Sequence, residues 1–174
     1  MMKKGVKITL IVGGVFVGLL VVAAVGYRVL FTQGVAASFE VNTPDLETKV
    51  LIATQGSNFK EGLVSGIIEE LKIKPVYMKI IDVTALPDIK EEEWDAVVVL
   101  STCQSGTLQA ETMAYLQQAN ALEKHIVMIT SGAGDWKPEG ARFDSISSAS
   151  KAANVAPLVA RIIEQLEGIL EKTS

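Results

Sequence analysis

The strongest constraint on the fold is a series of short apolar runs that alternate with segments of helical spacing after residue 48. Short runs rich in valine and isoleucine are typical of strands, so the alternation predicts repeated strand–helix units. Such units form a parallel sheet with helices on both faces, and the predicted fold class is therefore α/β. The predicted strands are Lys49–Ala53, Val76–Val83, Asp95–Leu100, Ile126–Thr130 and Phe143–Ser147.

The pattern within these units locates the central strand and the helices. Asp95–Leu100 is almost entirely apolar, as expected of a strand that is buried on both faces. Asn58 followed three residues later by Glu61 forms a capping-box pattern, which predicts that the first helix begins just after the first loop. Further helices are predicted over 107–122 and along the apolar stripe from Leu158 to Leu170.

A long apolar segment precedes this domain. Residues 8–27 carry no charge, and twenty helical residues at 1.5 Å each span a hydrocarbon core of about 30 Å. We predict a basic segment at 1–7, a transmembrane helix at 8–31, a linker at 32–48 and a folded domain at 49–174. A cleaved signal peptide is the alternative, because small residues at 35–37 resemble a cleavage site, although the apolar run is longer than a signal core.

Charges around the apolar segment predict its orientation. Lys3, Lys4 and Lys7 precede it and Arg28 follows it, so the positive-inside rule favours a cytoplasmic N-terminus. The chain is then a single-pass protein of the cell membrane with an extracytoplasmic domain. Gly14 and Gly18 form a small-xxx-small pair, which predicts a surface through which two helices could form a homodimer.

Charge and cysteine content exclude several functions. After residue 31 the chain has twelve Lys and Arg against twenty Asp and Glu, a net charge of −8. An acidic domain repels nucleic acid, so no nucleic-acid partner is expected. Cys103 is the only cysteine, which excludes an intrachain disulfide and a cysteine-rich metal site.

Three loops that follow predicted strands carry the candidate site. Ligands of open parallel sheets bind outside the carboxyl ends of the strands, where the strand order reverses. The loop after the first strand, Thr54–Phe59, combines hydroxyls, a glycine and an amide at the start of a helix, which favours an anion. The loops after the third and fourth strands, Ser101–Thr107 and Ser131–Trp136, are small, polar and glycine-bearing.

In order and spacing, these strands and loops resemble the three cofactor loops of the flavodoxin family, over about residues 48 to 172. The resemblance implies a five-stranded sheet in the order 2-1-3-4-5 and bound FMN, which would exchange electrons with a redox partner that the sequence does not name. It implies that the phosphate would be held by Thr54, Gln55, Gly56, Ser57 and Asn58. The flavin ring would be bordered by Ser101, Thr102, Cys103, Gln104, Gly132, Gly134, Asp135 and Trp136.

The sequence also departs from that family. Phe59 stands where flavodoxins usually have a second threonine, and Cys103 or Gln104 stands where they commonly have a tryptophan. The stretch between the fourth and fifth strands is short, which predicts a loop in place of the usual fourth helix. The alternative function is therefore a flavodoxin-like domain without cofactor that acts as a membrane-tethered interaction or scaffold module.

Two other functions fit the pattern less well. A receiver domain needs carboxylates where Thr54, Gln55 and Ser101 stand. A cysteine nucleophile at Cys103 would need His125, the only histidine, as its base. His125 begins the fourth strand and is predicted to be solvated at the opposite edge of the sheet, about 15 Å away at 3.3 Å per residue.

Overall fold

The computed structural model describes residues 18–22, 34–132, 134, 136–137 and 139–173. Residues 18–22 are helical and belong to a unit, 1–33, that is separate from the domain at 34–174. The rest of the predicted transmembrane helix at 8–31, including Gly14, lies outside the described residues. Among the residues described, no helix combines the length and the apolar character needed to cross a bilayer.

The domain is built on one six-stranded sheet. Its spatial order is β1-β3-β2-β4-β5-β6, and every neighbouring pair is parallel except β1 with β3. The strands are β1 (Phe39–Val41), β2 (Thr48–Thr54), β3 (Val76–Asp82), β4 (Ala96–Thr102), β5 (His125–Thr130) and β6 (Ser145–Ser148). The helices are α1 (Asn58–Leu71), α2 (Ala110–Gln118) and α3 (Val155–Thr173), with 3₁₀ turns at Val83–Asp88 and Glu91–Glu93 before β4.

The five parallel strands have the predicted 2-1-3-4-5 order, and the predicted α/β class is confirmed. The prediction of five strands was wrong by one, because β1 forms within the segment assigned to the linker at 32–48. Phe39–Val41 pairs antiparallel with Ile80–Met78 and covers the edge of β3 that would otherwise be open. β6 covers Ser145–Ser148 and is shifted from the predicted Phe143–Ser147. α2 covers Ala110–Gln118 and is shorter than the predicted 107–122.

Both faces of the sheet are buried, as the apolar runs predicted. In β2, Val50 and Ile52 face the layer formed by α1 and α3, whereas Leu51 and Ala53 face the layer that contains α2. The connection between β5 and β6 contains no helix among its described residues, and Trp136 and Phe143 pack against the α2 side of the sheet instead. The predicted replacement of a helix by a loop is therefore what is observed in the described part of that connection.

His125 is buried at the amino edge of the sheet, so its predicted solvation was wrong. Its side chain is 0% exposed. Nδ1 lies 3.0 Å from the Ala121 carbonyl oxygen, and Nε2 lies 3.1 Å from the Tyr115 hydroxyl. A neutral ring that donates from Nδ1 and accepts at Nε2 satisfies both partners. Burial lowers the pKa of His125, although the Ala121 hydrogen bond and the Glu91 carboxylate oppose that shift.

This burial predicts a loss of stability in mild acid. Below pH 6.5 the unfolded chain protonates His125 while the folded chain resists, so the free energy of unfolding falls as the pH falls. We expect the free energy of unfolding of His125→Gln to fall less between pH 7.5 and 5.5 than that of the unsubstituted protein. Urea unfolding of both proteins at the two pH values measures it. Equal decreases in the free energy of unfolding of the two proteins would show that His125 is not the group whose burial causes the acid sensitivity.

Candidate functional site

The three candidate loops leave the sheet at one edge. The register pairs Thr54 of β2 with Leu100 of β4, and Thr102 of β4 with Thr130 of β5. Because these strands are parallel, the loops that follow them all start at the carboxyl edge. Cys103 follows β4 at this edge, whereas His125 begins β5 opposite Val97 at the other. About six residues of strand separate the two, and a catalytic Cys103–His125 pair is excluded.

The first loop caps a helix. Ser57 is the N-cap of α1, and its Oγ accepts a hydrogen bond from the Lys60 backbone N–H at 3.3 Å. The predicted capping residue, Asn58, is instead the first residue of the helix. Extended backbone at Ser57 lets its short side chain reach back over the first turn, which is the geometry of an N-cap.

The backbone of this loop is already paired with the segment that enters the domain. Gly56 N–H donates to the Gly34 carbonyl at 2.7 Å, and Gly34 N–H donates to the Gly56 carbonyl at 2.9 Å. A Cβ at Gly56 would lie 2.8 Å from the Gly34 carbonyl carbon, so a side chain there would meet rigid backbone. One of the amides that an anion at this loop could use, Gly56 N–H, is therefore occupied by protein.

The Gln55 side chain joins the first loop to the second. It is buried, with 2% exposure. Its Oε1 accepts a hydrogen bond from Thr102 N–H at 2.8 Å, and its Nε2 donates to Gln109 Oε1 at 2.7 Å. Gln55 thus connects the end of β2 to the end of β4 and satisfies a backbone donor at the end of the central strand.

Lys60 lies in the same edge, and the sequence reasoning missed it. Its side chain is 1% exposed, and its Nζ donates to Thr102 Oγ1. Thr102 Oγ1 lies 2.8 Å from Thr130 Oγ1, which donates to the Ser101 carbonyl at 3.3 Å. Burial lowers the pKa of Lys60 to about 8. The position of Lys60 in the sequence could have predicted its burial, because it falls on the helical stripe that continues through Leu63, Val64 and Ile67.

The remaining residues of the second loop do not point to an open slot. Ser101 is fully buried, and its hydroxyl has no hydrogen-bond partner among the described residues. Cys103 is half-buried, and its N–H donates to the Thr130 carbonyl at 2.8 Å. Gln104 is exposed and closes a tight turn with Thr107 through two backbone hydrogen bonds.

The third loop is also held by internal hydrogen bonds. Gly132 is exposed, whereas Gly134 N–H donates to Ser131 Oγ at 2.9 Å. Trp136 is half-buried against the α2 side of the sheet, and its carbonyl accepts from Ser147 Oγ at 2.6 Å. Asp135 lies outside the described residues. Trp136 thus contacts the protein's own core.

Together these contacts close the carboxyl edge. The buried polar side chains of the described residues number eight, and all but Thr112 lie at or reach the carboxyl ends of the strands: Thr54, Gln55, Lys60, Asp82, Ser101, Thr130 and Ser131. Buried donors and acceptors at a ligand site would face the ligand, but all of these except Ser101 already form a hydrogen bond with another group of the protein. In the observed arrangement Gly56 N–H, Thr102 N–H and Thr102 Oγ1 are therefore paired with Gly34, Gln55 and Lys60, and FMN could use these groups only by displacing those partners.

Comparison with known proteins supports the fold. No protein-family profile and no curated protein matches the sequence. A solved structure of the metal-soaked Flv1 flavodiiron core from Synechocystis sp. PCC6803 is similar, with 13% identity and a TM-score of 0.51. The similar region covers 74% of this chain and 37% of that one.

Two further solved structures resemble the chain more weakly. Rubredoxin oxygen:oxidoreductase from Desulfovibrio gigas has 12% identity and a TM-score of 0.48, over 77% of this chain and 38% of its own. A flavodoxin from the domain Archaea has 14% identity and a TM-score of 0.44, over 70% and 99%. This chain thus spans less than two fifths of the first two proteins. With the 2-1-3-4-5 order of its parallel strands, it has a flavodoxin-like fold.

Proposed function

We propose that this chain is a membrane-tethered interaction module, in which a flavodoxin-like domain has its cofactor edge closed by its own side chains. The observation that carries the proposal is the hydrogen-bonded path from buried Lys60 through Thr102 to buried Thr130, at the edge where the family resemblance implies the flavin. The Gln55 bridge and the Gly34–Gly56 pairing close the edge on the side of β2.

The energetics favour this closed state. Each buried donor or acceptor that loses its partner costs about 1–3 kcal/mol. A flavin would have to displace Gln55 from Thr102 N–H and Gly34 from Gly56 N–H, and it would then have to replace both sets of hydrogen bonds. Because these groups already form hydrogen bonds within the protein, a ligand that replaced those bonds would add little binding free energy.

The tether and its orientation belong to the same proposal. The uncharged run at 8–27 supports a membrane helix over 8–31, and the three lysines before it support a cytoplasmic N-terminus. The acidic domain would then stand outside the cytoplasm, tethered to the membrane. Such a domain serves by recognising a partner at the membrane surface.

Electron transfer with FMN is the second candidate function. It is favoured by the flavodoxin-like fold and by the convergence of three loops, including the capped N-terminus of α1, on one edge. The predicted contacts of Thr54–Asn58 with the phosphate, and of the second and third loops with the ring, remain the site hypothesis for that function. Bound FMN would supply one- or two-electron transfer.

Flavin uptake discriminates the two candidates. We expect full-length protein purified in detergent to be colourless and to show no saturable quenching of FMN fluorescence on titration. The physical reason is that Gly56 N–H already donates to the Gly34 carbonyl and Thr102 N–H already donates to Gln55 Oε1.

Two variants serve as controls for this titration. Saturable FMN uptake that is lost in both Ser57→Ala and Trp136→Ala would overturn the interaction-module proposal and establish the FMN site. Uptake that both variants leave unchanged would indicate FMN bound elsewhere, and it would remove the predicted site.

A further inference from the structure

A basic groove lies at the edge of the sheet opposite the closed loops. It has a volume of about 710 Å³ and runs between α3 and the β5–β6 connection, over the amino ends of β5 and β6. Four cations line it: Lys137, Arg142, Arg161 and Lys172. They are one third of the twelve Lys and Arg that follow residue 31, whereas only Glu123 and Asp144 of the twenty carboxylates line it. The groove is therefore positive within an acidic domain.

These cations are available to a partner. All four side chains are exposed. Within the described part of the chain, none of them forms an ion pair with a carboxylate, while exposed Lys72, Lys74 and Lys90 each pair with a glutamate. Arg142 donates from Nη1 to the Gln117 carbonyl at 3.1 Å, which leaves its other N–H groups for a ligand.

The spacing of the cations favours an extended ligand. Arg161 and Lys172 lie on the same helix, eleven residues apart, which is about 16 Å at 1.5 Å per residue. A single phosphate cannot contact both ends of such a groove. About five residues of extended polypeptide cover that length, and alternate acidic side chains would face the cations.

Resting on the interaction-module proposal, we infer that this groove docks an acidic polypeptide segment of the partner protein. Nucleic acid is disfavoured because the −8 domain repels a long polyanion beyond the groove. An anionic bilayer is repelled in the same way, and it is flat where the groove is concave. A short acidic segment contacts only the positive region, so attraction in the groove dominates.

The test is binding of a labelled acidic peptide to the full-length protein in detergent. The probe is an extended peptide of about ten residues that alternates glutamate and serine, and fluorescence anisotropy follows its binding. We expect saturable binding that weakens as salt rises. We expect Arg161→Gln with Lys172→Gln to lower the affinity about tenfold. Lys72→Gln with Lys90→Gln, which removes equal charge outside the groove, should change it less than about twofold.

Other outcomes overturn the inference. No saturable binding of the peptide, or equal losses in the two double variants, would remove the groove as its site. Displacement of the peptide by inorganic phosphate at matched ionic strength would show that the groove binds single anions and does not require an extended acidic segment. If the protein pelleted with phosphatidylserine vesicles, and the Arg161→Gln with Lys172→Gln variant did not, the groove would be a lipid-binding site. None of these outcomes changes the result of the FMN titration. The peptide experiments therefore test the groove, and the FMN titration separately tests the interaction-module proposal.

Discussion

Replacing Gln55 with leucine is expected to lower the free energy of unfolding by about 2–3 kcal/mol. The substitution keeps a similar volume but leaves the part-buried Thr102 N–H without its acceptor and Gln109 Oε1 without its donor. Thr102 ends the central strand and also holds Lys60, so the loss acts at the centre of the closed edge. Chemical denaturation followed by circular dichroism measures the change.

The matched control is Gln118→Leu, the same chemical change at an exposed position on α2, where we expect less than about 0.5 kcal/mol. Gln109→Leu, alone and combined with Gln55→Leu, completes a double-mutant cycle for the side-chain pair. A Gln55→Leu effect no larger than that of Gln118→Leu would show that the bridge does not hold the edge together.

Replacing Leu100 with alanine is expected to cost about 3–4 kcal/mol. Leu100 is fully buried in β4 and belongs to the cluster that joins the sheet to α1 and α3. The substitution removes apolar contacts and leaves a cavity that neighbouring strands cannot collapse to fill. For a domain of ordinary stability, about 5–15 kcal/mol, this is a large share of the total. The change in the free energy of unfolding is measured from the shift in the urea midpoint, provided that the m-value stays the same in the two proteins.

Ile73→Ala is the control for that experiment. Ile73 is 83% exposed in the turn that follows α1, and its truncation should change stability by no more than about 0.5 kcal/mol. Comparable effects at the two positions would contradict the assignment of Leu100 to the core.

Apolar periodicity was sufficient to predict the five parallel strands and the three main helices. The reason is physical, because a buried strand such as Ala96–Thr102 must be apolar on both faces and the last helix must present a stripe to the sheet. β1 was not predicted because it has only three residues, two of them exposed, and it pairs only along the edge of β3 among the described strands. Short edge strands carry little periodic signal.

The candidate site was predictable in outline only. Sequence spacing placed three polar loops after three parallel strands, and the shared direction of those strands brings the loops to one edge. Two features of that edge were not predicted. Lys60 is a charged residue on a buried stripe, which burial statistics disfavour, and Gly34 reaches Gly56 across twenty-two residues of sequence. His125 is a similar case, since its burial depends on Tyr115 from a neighbouring helix.

The pKa of the Lys60 amine tests the closed edge most directly. It can be followed by ¹⁵N NMR of the lysine side chains in the full-length protein, with the Lys60 signal assigned by its absence in Lys60→Gln. Burial among Thr102 and its neighbours predicts a pKa of about 8 instead of 10.5. A pKa close to 10.5 would mean that the amine is open to water and that the edge is free to receive a ligand.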